Sequence, residues 1–115
     1  MSKDIPGGLS ISNNAIADAI GHEAMEIYGV VGMSAPSLQD GIAKILPQSK
    51  YRRGIIVSDG ETGPIIDLYV VLEYGTNITA VSENLRDRAE FVLKNIFSIS
   101  ADEINVHVQG MKVRK

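Results

Sequence analysis

Apolar residues recur along the chain with two different periods, and these periods predict where helices and strands lie. A short strand is expected over residues 9–11, followed by a helix over 13–28. Gly29 stands where the C-terminal cap of that helix is expected, and residues 30–33 have the composition of a short buried strand. The buried stripe of the helix has the 3.6-residue spacing of an amphipathic helix and consists of Ile16, Ile20, Ala24 and Ile27.

Apolar and polar residues alternate more clearly in the second half of the chain. Two strands are predicted over 55–58 and 65–74, and the glycine-containing loop 59–63 between them is typical of a hairpin. The alternation within the longer strand predicts that one face is buried and that the other is only half polar. The predicted buried set is Ile66, Leu68, Val70, Leu72 and Tyr74.

A second helix and a last strand complete the pattern. Asn77 is a plausible N-cap for a helix over 78–97, and the alternation from Ile104 to Val108 predicts the final strand. The predicted buried stripe of this helix is Ile78, Val81, Leu85, Ala89, Val92 and Ile96.

Residues 34–53 are the least regular part. One short helix ended by Pro47 suits the four apolar residues of this segment, after which the chain becomes polar and basic over 48–53. The four apolar residues are Leu38, Ile42, Ile45 and Leu46.

This order of elements predicts an α+β fold. We expect a two-layer sandwich in which a mixed or antiparallel sheet carries two main helices on one face, with a ferredoxin-like split βαβ arrangement as the alternative. Residues 1–8 are expected to be a flexible lead, 9–113 a single domain, and 114–115 the end of a basic tail.

The composition excludes several classes of protein and of site, but it does not identify a function. The 115 residues contain no cysteine, which excludes a disulfide framework, a thiolate zinc site and a cysteine nucleophile. A net charge of −3 argues against general nucleic-acid binding. No apolar run approaches the roughly 18 residues of a membrane span.

Motifs for catalysis are missing from the sequence. Residues 22–26 lack the second histidine of the zinc-protease helix, and 59–63 lack the lysine of a phosphate-binding loop. Asp18, His22 and Glu26 have helical spacing but are more typical of a solvated helix face than of a metal site. We therefore expect no enzymatic activity, no metal and no cofactor.

Two surfaces remain as candidates for binding. Exposed aromatic and apolar positions on the second helix and on the outer sheet face predict a protein contact. Its candidate residues are Tyr69, Val71, Phe91 and His107. A basic patch is the alternative, because clustered cations attract phosphates, anionic lipids or RNA. Its candidate residues are Lys50, Arg52, Arg53, Lys112, Arg114 and Lys115.

The segments also resemble a known family. IDLYVVLEYG at 66–75 and INVHVQGM at 104–111, together with 29–33, 53–57 and 77–78, resemble the alkaline shock protein family in order and spacing. The length of the chain resembles that of the short YloU-like branch of the family.

The resemblance implies a small cytoplasmic protein of Gram-positive bacteria or their relatives, without established catalytic activity. Some members of the family are linked to cell-envelope stress, and some gather beneath the membrane by binding a membrane-anchored partner. The short branch is often encoded beside a dihydroxyacetone-kinase-like fatty acid kinase. We therefore expect a self-associating adaptor or scaffold that binds another protein near the envelope, with the anion-, lipid- or RNA-binding module as the alternative.

Overall fold

The computed structural model describes residues 4–5, 9–10, 13–36 and 44–113. Its helices are α1 (Asn13–Ala24) and α2 (Ile78–Ile96), and a 3₁₀ helix covers Gln48–Gly54. Its strands are β1 (Asp4–Ile5), β2 (Leu9–Ser10), β3 (Val30–Met33), β4 (Ile55–Asp59), β5 (Pro64–Glu73) and β6 (Glu103–Lys112).

The first two strands form a small sheet of their own. The strand expected over 9–11 is present as β2, and it pairs antiparallel with β1. β1 lies inside the segment 1–8, for which the sequence predicts a flexible lead.

Strand β5 is the centre of the main sheet. Its first half pairs antiparallel with β4 and its second half with β3, while β6 pairs parallel along its whole length. Because a strand has two edges, β4 and β3 share one edge of β5 and β6 occupies the other. The α+β fold with a mixed sheet is therefore confirmed. The alternative, a ferredoxin-like split βαβ arrangement, is not adopted. In that arrangement a further strand lies between the two strands that the helix connects, whereas α2 connects β5 and β6, which are neighbours.

The core lies between the sheet and the two helices. The inward residues of β5 are fully buried, as the alternation predicted, except at the end of the strand. Tyr74 lies beyond β5 and is 72% exposed, so its assignment to the core was wrong. Ile78 and Ile96 are also exposed, because they lie at the two ends of α2. The central part of the core consists of Ile20, Met33, Ile66, Leu68, Val70, Leu72, Leu85, Val92 and Leu93.

Two turns that contain glycine fix how the elements meet. Helix α1 ends at Ala24, earlier than predicted, so Gly29 is not its cap. Gly29 instead has a φ of +96° in the turn before β3, and a Cβ there would lie 2.9 Å from Val81. The 59–63 hairpin turn is held by Asp102, whose carboxylate accepts hydrogen bonds from Glu61 N (3.2 Å) and Thr62 Oγ1 (2.9 Å). The same carboxylate therefore ties this turn to the loop before β6.

The segment between β3 and β4 differs from its prediction. Residues 37–43 lie outside the described residues, so Leu38 and Ile42 are not placed. Ile45 forms an antiparallel bridge with Ser34 instead of belonging to a helix. The basic segment that follows is a 3₁₀ helix, whose Tyr51 packs against α1 with its ring 5.5 Å from that of His22.

Candidate protein-interaction surfaces

Four polar and aromatic side chains form one cluster on the outer face of the sheet, which we name the Tyr69–His107 cluster (Asp67, Tyr69, Asn105 and His107). The register of β5 and β6 places Asp67 beside Asn105 and Tyr69 beside His107. The rings of Tyr69 and His107 stack with centroids 4.5 Å apart and planes inclined by 12°. Asp67 Oδ1 accepts a hydrogen bond from Asn105 Nδ2 (3.1 Å) and lies 2.9 Å from His107 Nε2.

The hydrogen bonds of this cluster fix the orientation of the imidazole. An ionised carboxylate only accepts, so a hydrogen bond between Asp67 and His107 requires Nε2 of His107 to be the donor. The side chain of His107 is 43% exposed, and that of Asp67 is 20% exposed. The pair therefore lies on an open sheet face, where the stacked rings form a flat and preorganised contact area.

Val71 does not belong to this exposed surface. Its exposed fraction is 0%, so the prediction that it forms an outward contact was wrong. The residues beside it on the two neighbouring strands are Gly32 and Gly110. A Cβ at Gly32 would overlap the side chain of Ile45, so Ile45 fills the space beside Val71 that this glycine leaves. Gln109 of β6 also bonds to the chain after β3, because its amide donates to the carbonyl groups of Ala35 and Pro36. The chain after β3 therefore covers this part of the outer face.

A second surface lies at the C-terminal end of α1, and we name it the Tyr28–Phe91 groove. It has a volume of about 590 Å³ and lies between the turn after α1 and one side of α2. Tyr28 is 83% exposed and Phe91 is 56% exposed. The remaining lining residues are Glu26, Ile27, Asn84, Asp87 and Arg88.

The electrostatic character of the groove is acidic. Arg88 is the single cation among its lining residues, and its Nη1 donates a 2.7 Å hydrogen bond to Glu23 Oε1 on α1. This ion pair connects the two helices and compensates the charge of the arginine. The carboxylates of Glu26 and Asp87 remain beside the two aromatic rings, so the groove combines apolar area with negative charge.

The predicted basic residues fall on two sides of the sheet. Lys50, Arg52 and Arg53 are exposed on the 3₁₀ helix, which enters β4 opposite Leu68 of β5. Lys112 pairs with Glu73 on the other edge of β5, about 17 Å further along the strand direction. Arg114 and Lys115 lie outside the described residues.

Asp18 and His22 lie close together on α1, but Glu26 does not join them. Asp18 Oδ1 lies 3.6 Å from His22 Nε2 on the exposed side of the helix, and Glu26 lies beyond the helix end. Within the described part of the chain, no three histidine, aspartate or glutamate side chains are arranged to hold a metal ion.

Tyr28 is the residue that sequence reasoning missed. The predicted helix extended through residue 28, so this tyrosine was expected on a helix instead of in an exposed turn. A useful signal was present, because Tyr28 directly precedes a glycine that takes a positive φ. An aromatic residue in a turn has no helix stripe to join, and its side chain is left to the surface.

One family model and several known proteins are similar to this chain over most of its length. The family model of alkaline shock protein 23, described as having a cell envelope-related function, matches residues 1–113. The chain belongs to this family. It is 37% identical to the uncharacterized protein Spy1614 of Streptococcus pyogenes, over 93% of this chain and 89% of that protein. It is 32% identical to the uncharacterized protein YloU of Bacillus subtilis, over 93% of this chain and 90% of that protein.

Membership of the alkaline shock protein family confirms the resemblance that the sequence segments indicated. No solved structure matches the chain. In the portion of the chain that the structure describes, no helix is long and apolar enough to cross a membrane.

Proposed function

We propose that this protein is a non-catalytic adaptor that acts at the cell envelope by binding another protein in the Tyr28–Phe91 groove. The observation that carries the proposal is the pairing of two exposed aromatic rings with an acidic rim. Aromatic residues are enriched at protein contacts because they bury much apolar area with few rotatable bonds. The family description, a cell envelope-related function, supports the location.

The charge of the groove suggests the chemistry of its partner. Glu26 and Asp87 favour a segment that carries lysine or arginine beside apolar residues. The cytoplasmic flanks of membrane-spanning helices have this composition, because positive residues accumulate there. We therefore propose a membrane-anchored protein as the partner, with its basic flanking segment in the groove and this protein held at the inner face of the membrane.

Site-specific crosslinking tests the proposal. A photoreactive phenylalanine analogue is placed at Tyr28 or, as the control, at Ile96, which is 59% exposed and lies outside the groove. After irradiation in the source cells, we expect the Tyr28 position to capture one membrane protein through a basic juxtamembrane peptide, identified by mass spectrometry. Equal capture by both positions, or capture of soluble proteins only, would contradict the proposal.

Charge reversal provides the second arm of this experiment. Replacing Asp87 by lysine removes the attraction for a basic segment and leaves the aromatic rings in place. We expect the crosslink from Tyr28 to decrease at least fivefold, while Asp59→Lys at the distant β4 end has no effect. An unchanged crosslink in Asp87→Lys would exclude a basic partner segment.

A second candidate function uses the exposed cations of the 3₁₀ helix. Tyr51 packs against α1, and Lys50, Arg52 and Arg53 are exposed on the same short segment. This supports binding of phosphate groups on lipids or RNA. The test is the binding of anionic vesicles, which should weaken as salt rises and disappear when all three cations are replaced by glutamine.

A further inference from the structure

Strand β6 lies at an edge of the main sheet. Over the described residues, β6 pairs with β5 on one side and with no strand on the other. A ten-residue strand at a sheet edge, with alternate residues directing backbone groups away from the sheet, is a template for strand addition. The inward residues of β6 are only partly buried, in contrast to those of β5, which are fully buried. These partly buried residues are Ile104, Val106, Val108 and Met111.

The direction of the backbone groups on this edge follows from one hydrogen bond. Tyr74 N donates to the carbonyl of Lys112 over 2.7 Å, so the backbone groups of Lys112 face β5. Successive residues of a strand direct these groups to alternate edges, and the register shift at Gln109 inserts one extra residue into the alternation. The groups that face the open edge are therefore those of Ile104, Val106, Val108 and Met111.

This set of donors and acceptors is complementary to itself. When a second β6 is placed antiparallel about a two-fold axis at His107, Ile104 lies opposite Met111 of the second copy. Val106 lies opposite Val108 in the same way. All four outward-facing residues thus form hydrogen-bonded pairs, and their apolar side chains meet on the inner face of the joined sheet.

Charge complementarity selects the same arrangement. The extra residue at Gln109 brings Lys112 to the outer face, where Glu103 also lies, because they pair with Glu73 and Ile65 of β5. Antiparallel pairing centred on His107 places Glu103 opposite Lys112 of the second copy, and symmetry gives this pair twice. Without the bulge, these two side chains would lie on opposite faces and could not pair.

We propose that the protein forms a two-fold symmetric dimer through antiparallel pairing of β6 with β6 of a second copy. The joined sheet is continuous across the dimer, with four helices on one face. The two Tyr69–His107 clusters meet at the axis on the other face. The proposal is independent of the Tyr28–Phe91 groove, which belongs to the helical side.

Disulfide trapping tests the register directly, because the chain has no cysteine of its own. Opposite residues in a non-hydrogen-bonded antiparallel pair have Cα atoms about 4.5 Å apart, within disulfide reach. We expect His107→Cys to form a covalent dimer under mild oxidation at least tenfold faster than Asn105→Cys. Asn105 lies on the same strand and the same face as His107, but the two copies of Asn105 are separated by about 13 Å in the dimer. Equal rates, or faster trapping at Asn105, would overturn the register.

Charge exchange tests the dimer without altering its centre. In sedimentation equilibrium we expect the wild-type protein to be a dimer, and Glu103→Lys or Lys112→Glu alone to raise its dissociation constant about tenfold. The double exchange, E103K with K112E, should restore the wild-type value. A monomeric wild-type protein at micromolar concentration, or a double variant no better than the single variants, would overturn the proposal.

Discussion

The ring of Tyr69 on β5 stacks on the ring of His107 on β6, with their centroids 4.5 Å apart. Parallel pairing of the two strands brings these residues side by side, although they are 38 positions apart along the chain. The stack therefore contributes to the contact between the first and the second half of the βαβ unit formed by β5, α2 and β6.

A double-mutant cycle measures the energy of this stack. We expect Tyr69→Ala and His107→Ala to be coupled by about 0.5–1.5 kcal/mol in the free energy of unfolding, the range found for aromatic pairs. Urea denaturation of the four proteins gives the value. The cycle of Tyr69→Ala with Asn105→Ala is the control, because Asn105 bonds to Asp67 instead of stacking. Equal coupling in the two cycles would show that the ring contact has no specific effect.

Two glycines separate backbone strain from steric overlap. Gly29 and Gly75 both have a positive φ, of 96° and 91°, so alanine is strained at each position by about 1–2 kcal/mol. A Cβ at Gly29 would also lie 2.9 Å from Val81, whereas nothing lies within 4 Å of one at Gly75. We therefore expect Gly29→Ala to be the more destabilising substitution.

The difference between these two variants should depend on Val81. Adding Val81→Ala to Gly29→Ala removes the overlapping methyl group, so the two substitutions should destabilise by less than the sum of their separate effects. Thermal denaturation monitored by circular dichroism measures each variant. Equal destabilisation by Gly29→Ala and Gly75→Ala would show that the overlap is relieved by a small shift of α2.

The periodic parts of the fold could be predicted from the sequence, and the covered surface could not. The stripe of α2 and the alternation of β5 each follow from a repeat that burial imposes on the residues. Val71 has the outward parity of Tyr69, yet it is buried. Gly32 beside it leaves room for Ile45, and Gln109 bonds from β6 to the chain after β3. This cover consists of residues that only the fold brings together, so the hydrophobic pattern of the sequence does not predict it.

The candidate site shows the same division. The exposure of Phe91 was predicted correctly because it lies off the buried stripe of a helix. Tyr28 was missed because α1 ends at Ala24, and helix ends are the least regular part of an amphipathic pattern. The pairing of His107 with Asp67 depends on β5 and β6 being neighbours, which no local pattern in the sequence shows.

The ion pair between Glu23 and Arg88 should make a small and salt-dependent contribution. Both side chains are partly exposed, at 37% and 44%, and such pairs contribute about 0.2–1 kcal/mol. We expect a double-mutant cycle with Glu23→Gln and Arg88→Gln to give this coupling at low salt. The coupling should be smaller in 1 M salt, where the Debye screening length is about 3 Å. The pair Glu90–Lys94, at 3.9 Å on α2 alone, should give less. A coupling independent of salt would contradict a screened surface pair.

The bridge formed by Gln109 should control access to Val71. Gln109→Met keeps the length of the side chain and removes the donor to Ala35 and Pro36, so we expect a loss of about 1 kcal/mol in unfolding free energy. Hydrogen exchange should become faster at the amide of Leu46, which donates to Met33 beside this segment. Gln48→Met, at an exposed glutamine, is the matched control and should change neither quantity. If Leu46 exchanges at the same rate in both variants, the cover over Val71 is held by packing instead of by the amide of Gln109.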